Sequence, residues 1–269
     1  MSTMLTELLT EVTTAVQAAG ALVRQRFTRD ARPNSLEDVL AALRANDEAS
    51  LSLLREPLRT ARPAAGWIDD ELETGALPDG EWWVADPVEG NINHVHGLTD
   101  WSVTATLVRD NRPVLTAVHL PLAGDTYTAS AGGGAFLNGA PLRPSAKTRL
   151  DGAYVGTGQA RPGDDPATLR RLTRSLSAML DAALVTRSSV PATLQLIEVA
   201  AGRMDVFWQH SDVRSGLLAG ALLVAEAGGT VTDTRGNPWT PASPDLLAAA
   251  PGLHRAAVDV LSAANGAGE

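Results

Sequence analysis

The sequence predicts an α/β protein, α+β in its first half, organised as two lobes at residues 1–148 and 149–269. Three observations predict this. Two long helical periodicities open the chain, strand-like segments follow from Trp67 to about Ala131, and beyond residue 150 strands alternate with helices. A chain of 269 residues that is 44% hydrophobic can bury a full core, as one large domain or as two closely packed lobes.

Each element follows from its pattern. Leu5, Leu8, Leu9, Val12, Val16, Ala19, Val23 and Phe27 recur at helical spacing and predict one amphipathic helix that ends at Arg32-Pro33. A second helical region starts near Ser35 and runs through Leu36, Leu40, Leu43 and Leu54 to Pro63, with Asp47 inside it or at a break. Short strands are expected at Gly66 to Ile68 and Trp82 to Ala85, with a helix start at Asn91 to Val95. Strands Trp101 to Val108, Pro113 to Leu120 and Thr126 to Ala129 form an antiparallel region with Asp110-Asn111 as a hairpin turn. The second half reads as strand Ala153 to Gly156, helix Pro166 to Leu180, strand Ala183 to Arg187, helix Ala192 to Ala201, strand Met204 to Trp208, helix Val213 to Ala227 and strand Thr230 to Thr232. The tail from Asn265 to Glu269 is expected to fray.

Bulk composition excludes several classes. A net charge of −9 argues against nucleic acid as a partner, because phosphate backbones are bound by basic surfaces, but it does not exclude a small phosphate held locally. The absence of cysteine removes disulfides and thiolate metal sites and fits an intracellular setting. No basic signal region opens the chain and no apolar run reaches the roughly 18 residues that span a bilayer, so a soluble, cytoplasmic protein without a membrane partner is expected.

The acidic residues fall into groups. Asp69, Asp70, Glu71 and Glu73 follow the strand at Gly66, Asp86 and Glu89 follow the Trp82 strand around Pro87, and Asp212 precedes a helix. Carboxylates gathered in one cleft repel each other unless cations neutralise them, and hard oxygen ligands select Mg²⁺, Mn²⁺ or Ca²⁺. For Glu71 and Glu73 a solvated loop role weighs equally. Gly90 followed by a helix start supplies free backbone N–H groups beside these carboxylates, and such groups bind phosphate oxygens. Dications about 3.5 to 4 Å apart can activate a water against a phosphate monoester.

These residues carry a family resemblance. The stretch WWVADPVEGNINHVHG resembles the W-I-I-D-P-I-D-G-T-x-N-F-V-H-G motif of the inositol monophosphatase family, within the Mg²⁺-dependent, lithium-sensitive phosphatases. Ile68-Asp69-Asp70-Glu71 stands at the G-E-E segment, Gly134 to Gly139 matches G-A-F-x-N-G, Val199 to Asp205 matches V-A-A-G-R-x-D, and Ser211-Asp212 with Glu226 to Gly229 matches W-D…E-A-G-G. The resemblance implies the layered αβαβα sandwich of the inositol monophosphatase and fructose-1,6-bisphosphatase type, a homodimer, and two or more Mg²⁺ ions per site. It implies Asp70, Asp86, the Val88 carbonyl, Glu89 and Asp212 as metal ligands, with Asp70, Asp47 and Asn91 as catalytic residues, Asp47 orienting the attacking water. Gly90, Asn91, Asp205 and His94 are the expected substrate contacts.

The departures are specific. Asp70 stands for Glu and Glu89 for Asp, each moving a carboxylate by roughly one C–C bond of about 1.5 Å. Asn91 replaces a threonine, so an amide that can only hold water stands where a hydroxyl can relay a proton. His94 replaces an aromatic, Ser211 a Trp, and Val190-Pro191-Ala192-Thr193 a G-S-A-A segment, while His96 matches the family and is expected to be structural. Three readings follow: a metal-dependent phosphomonoesterase acting on a small cyclitol, sugar or related phosphate, a repurposed relative performing elimination or cyclisation, and a non-catalytic homologue.

Overall fold

The computed structural model describes residues 3–68, 75–160, 164–211, 213 and 215–266. Two long helices, α1 (Thr3–Arg26) and α2 (Leu36–Ala61), come first. The N-cap of α2 is Ser35, whose side chain accepts from the Asp38 N–H, with Glu37 and Asp38 in the positive first turn. The helix runs unbroken through Asp47.

A seven-stranded sheet follows in simple neighbour order: β1 (Gly66–Trp67), β2 (Glu81–Glu89), β3 (Ser102–Arg109), β4 (Arg112–Leu120), β5 (Asp125–Ser130), β6 (Gly134–Leu137) and β7 (Ala140–Pro141). Only β1 and β2 pair in parallel. The β3–β4 turn carries Asp110 at φ 48° and Asn111 at φ 58°, the left-handed pair that a tight two-residue hairpin requires. A short helix, α3 (Asn91–Val95), separates β2 from β3.

The second sheet has five strands in the order β11-β12-β10-β8-β9, built from β8 (Tyr154–Thr157), β9 (Val185–Ser188), β10 (Val206–Gln209), β11 (Thr230–Thr232) and β12 (Leu246–Ala249). Strands β10, β8 and β9 are parallel, whereas β12 runs antiparallel to β10 and β11. The connecting helices are α4 (Pro166–Ala182), α5 (Ala192–Ala200), α6 (Ser215–Ala227) and α7 (His254–Gly266).

Three buried clusters stack these elements into αβαβα layers. Leu8, Val12, Val16, Leu54 and Leu58 of α1 and α2 cover Trp83, Val103, Leu107 and Leu115 on one face of the first sheet. The other face, with Val118, Tyr127 and Ala129, packs on Leu196, Ile197, Leu222 and Leu223 of α5 and α6, which in turn cover Phe207, Leu246 and Ala248 of the second sheet. Met179 of α4 and Ala257 and Leu261 of α7 close the outer face over Val155, Val206 and Trp208. Helix α6 is buried from Leu217 to Val224, as a helix between two sheets must be. Gly220 lets α5 and α6 meet: a Cβ there would lie 2.3 Å from Leu196 Cβ.

The observed elements correct some expectations. The strand at Trp82 does not stop before the carboxylates but continues to Glu89 through a bulge, where Asp86 faces Thr104 and Glu89 faces Ser102. The expected helix at Val213 begins at Ser215, and β6, β7, β12 and α7 were not expected. The 148/149 division falls between the two sheets, but the central core cluster draws on both sides of it.

Candidate active site

The end of β2 is shaped by its bulge. Proline has no N–H to give a ladder, so Pro87 is tolerated where pairing is interrupted, and the extra residue re-aims the side chains on either side. The Val88 N–H donates to Asp86 Oδ1 at 3.1 Å. Behind the bulge, the fully buried Ser50 of α2 donates to the Pro87 carbonyl at 2.7 Å, which pins β2 to the helix that carries Asp47.

Gly90 makes the corner into α3. Its φ is +80°, and a Cβ there would sit 2.7 Å from the Asp100 carbonyl and 2.9 Å from Pro191 Cδ. Glycine is thus required by both backbone conformation and space. Asn93 fastens the corner to the opposite wall, donating to Asp100 O at 2.8 Å and Val190 O at 2.9 Å.

These elements enclose a cleft of about 350 Å³ lined by Leu43, Asp47, Asp86, Val88, Glu89, Gly90, Asn91 and Ile92 on one side. Gln159, Val190, Pro191, Ala192, Gln209, Val213, Ser215, Gly216 and Leu217 line the other. The first turns of α5 and α6 therefore open on the same cleft, and the Pro191 cap of α5 offers no side-chain hydrogen bond to its N–H groups. Helix starts carry partial positive charge, and the uncapped donors of α5 suit an anion.

Glu89 is 6% exposed and sits against the start of α6. The buried Thr193 hydroxyl lies 3.0 Å from Glu89 Oε2 and 3.0 Å from the Gly216 carbonyl, two acceptors for its single hydrogen. The carboxylates that line the cleft, Asp47, Asp86 and Glu89, offer only hard oxygens, which suit a Mg²⁺-like cation. Among the described residues no group of three or more acidic or histidine side chains forms a metal cluster by itself. Asp70 and Asp212, expected as ligands, and Glu71 and Glu73 lie outside the described residues.

Other expected site residues are placed differently from the expectation. Asn91 lines the cleft, but its amide donates to Asp47 Oδ1 at 2.7 Å and Leu43 O at 3.0 Å and accepts from Asn46 at 2.9 Å. With both amide hydrogens so used, Asn91 holds Asp47 rather than water. His94, expected as a substrate contact, is 4% exposed and is not among the residues that line the cleft. Its ring lies edge-on between Phe27 and Trp101, with centroids at 5.4 and 4.8 Å, and burial holds its pKa below the usual 6.5. Asp205, also expected as a substrate contact, is 1% exposed, accepts from Lys147 Nζ at 2.7 Å and from the Tyr154 N–H at 2.7 Å, and is not among the residues that line the cleft. The ring of the exposed His96 places Nδ1 2.8 Å from the Ile92 carbonyl.

Gln209 and Gln159 line the cleft but were not expected there. The signal was available: Gln209 ends β10 and Gln159 follows β8, and ligands of parallel strands sit beyond their carboxyl ends.

Comparison with known proteins places this geometry in a family. The sequence profile of the inositol monophosphatase family matches residues 4–265. The chain is 36% identical over 191 residues to an inositol-1-monophosphatase of Rhizobium meliloti, covering 71% of each. It is 31% identical over 227 residues to the Nus factor SuhB of Pseudomonas aeruginosa, covering 83% of this chain and 84% of that one. An inositol monophosphatase structure from Anabaena superposes with a TM-score of 0.80 at 25% identity over 96% of both chains, and SuhB of Mycobacterium tuberculosis with 0.79 at 27% over 97% and 98%. The protein belongs to the inositol monophosphatase family, a family of phosphoric monoester hydrolases.

Proposed function

We propose that the cleft hydrolyses the phosphate monoester of a small cyclitol, sugar or related metabolite with the help of bound divalent cations. The observation that carries this reading is the meeting of opposites: carboxylates from α2 and β2 face the opening turns of α5 and α6 across one cleft. A site built of anions alone would repel phosphate, and one built of helix starts alone would have no use for buried acids.

Asp86, Glu89 and the Val88 carbonyl, joined by Asp70 and Asp212, would hold the cations, with Mg²⁺ first among Mg²⁺, Mn²⁺ and Ca²⁺. When bound, such ions supply charge neutralisation and Lewis acidity toward a phosphate ester. The protein's own residues do the rest. Backbone N–H groups at Gly90, Asn91 and the starts of α5 and α6 hold the phosphate oxygens. Asp47, fixed by the Asn91 amide, orients a water at phosphorus; the water's O–P bond forms and it releases one proton as the ester P–O bond breaks, and the leaving oxygen takes up one proton, so that the step balances. Gln159 and Gln209 face the organic part of the substrate. The protein works as a cytoplasmic homodimer in this reading.

The test is inorganic phosphate release from a panel of inositol and sugar phosphates with millimolar Mg²⁺. Activity that is abolished by chelation and lowered about 100-fold or more by Asp86→Asn supports the reading. Metal binding by calorimetry without phosphate release from any member would overturn hydrolysis as the reaction.

A further inference from the structure

We propose that Asn46 and a neutral His94 protonated on Nε2 are positioning residues, which set the orientation of the Asn91 amide and thereby hold Asp47 toward the cleft. The inference rests on the hydrolytic reading for its consequence in turnover, but not for its structural content.

The argument is an accounting of donors and acceptors. A backbone carbonyl can only accept, so the His94 Nε2 that lies 3.2 Å from Val23 O carries a hydrogen. In a neutral ring Nδ1 is then a bare acceptor, and Asn46 Nδ2 stands 3.0 Å from it. The orientation of the Asn46 amide is fixed independently, because Arg26 Nε can only donate and meets Asn46 Oδ1 at 2.9 Å. Asn46 Nδ2 thus has two hydrogens, one for His94 Nδ1 and one for Asn91 Oδ1 at 2.9 Å. That second bond forces Asn91 Nδ2 toward Leu43 O and Asp47 Oδ1, at 3.0 and 2.7 Å. Every hydrogen in the chain from Val23 to Asp47 has one acceptor, and no amide can be flipped without setting donor against donor.

The surroundings favour this state. Asn46 is 3% exposed, Asn91 8% and His94 4%, so water cannot substitute for a lost partner. The edges of Phe27 and Trp101 fix the ring plane. Arg26 on α1 is the charged group acting on the ring, and its like charge joins burial in opposing protonation, while Asn46 on α2 and Trp101 before β3 are uncharged. A proton on Nδ1 would face the Asn46 NH₂ and break the link to Asn91. The residue types belong together: an amide at 91 needs an oriented donor at 46, which needs an acceptor at 94.

Two measurements test this. Long-range ¹H–¹⁵N correlation of the histidine rings in the unliganded protein at pH 7.5 should give His94 the Nε2–H pattern; an Nδ1–H pattern overturns the proposal whatever the enzyme hydrolyses. In turnover, His94→Phe keeps the ring contacts but strands Asn46, and is expected to lower kcat about tenfold or more with KM within about threefold. His94→Gln, whose amide can donate to Val23 and accept from Asn46, should restore most of that loss and move the acid limb of kcat to lower pH, since an amide does not titrate. A folded His94→Phe with parental kcat and an unshifted Asn91 side-chain NH₂ resonance would refute the positioning role. If no phosphate ester is hydrolysed, the ring tautomer and the Asn91 resonance still decide it.

Discussion

Gly90→Ala isolates the geometry on which the cleft depends. Two terms add at this position. The left-handed backbone at φ +80° strains any side chain by about 1–2 kcal/mol, offset by about 0.4–1 kcal/mol from the reduced freedom of the unfolded chain. The added methyl must also move the Asp100 carbonyl from 2.7 Å and Pro191 from 2.9 Å, a crowding that in packed interiors costs about 1–3 kcal/mol. The sum is about 1–5 kcal/mol. Gly124→Ala is the control: its φ is +74° but nothing lies within 4 Å of the new Cβ, so only the strain remains, about 0–1.6 kcal/mol net. Urea unfolding of both variants yields the difference, expected at 1 kcal/mol or more of the about 1–3 kcal/mol crowding term, and Gly90→Ala should also lose phosphate release because Pro191 begins the wall at α5. Equal losses for the two glycines would refute the claim that the Gly90 corner is pressed against its neighbours.

Other outcomes follow from named contacts. Thr193→Val removes the hydroxyl beside Glu89 Oε2 with little change of shape, and should lower stability by about 1–3 kcal/mol and weaken Mg²⁺ binding about tenfold by calorimetry; unchanged affinity would detach Thr193 from the metal side of the cleft. Lys147→Met strips the partner of the buried Asp205 and should cost about 1–3 kcal/mol in thermal or urea unfolding, with kcat/KM per folded molecule within about twofold; a selective rise in KM would return Asp205 to substrate binding. His94, His119 and His254 have folded pKa values below 6.5, each lowered chiefly by burial. The unfolded chain therefore binds more protons than the folded one between each lowered pKa and 6.5, so stability is full above about pH 6.5 and declines as pH falls toward the folded values, by at most about 1.4 kcal/mol per pH unit for each ring. Unfolding midpoints from pH 7.5 to 5 should fall, with a shallower slope in His94→Phe; an identical slope would show that His94 is not buried as a neutral ring.

The fold was legible wherever local chemistry and global packing agree. The Asp110-Asn111 hairpin and the two opening helices carry patterns that only one conformation satisfies. Segment Leu246 to Ala249 gave no such cue, because a short apolar run suits a buried strand and a buried helix equally and only its neighbours β10 and β11 decide. The β2 strand was expected to stop at Ala85 because a proline and two acids look like an ending; the bulge that carries pairing past them is a property of the β3 partner, not of the segment itself. Site legibility divides in the same way. Asp47, Asp86, Val88, Glu89, Gly90 and Asn91 line one cleft; the acids and the glycine at the end of β2 stand out in the sequence itself, whereas Asp47 and Val88 came only from the family resemblance. Asp205 was expected from its counterpart in the family motif and His94 from its departure from the family aromatic; the burial and partners that both show are not encoded in spacing.

The slab formed by α5 and α6 has a consequence for how the molecule can be divided. Both helices come from the second half of the sequence, yet they roof Val118, Tyr127 and Ala129 of the first. A backbone cut near residue 148 would thus leave each fragment with a bare greasy face, prone to aggregate alone and able to recover solubility only by finding its complement. Catalysis could then serve as a reporter of reunion, because the acids of α2 and β2 travel with one piece and the helix starts that face them with the other.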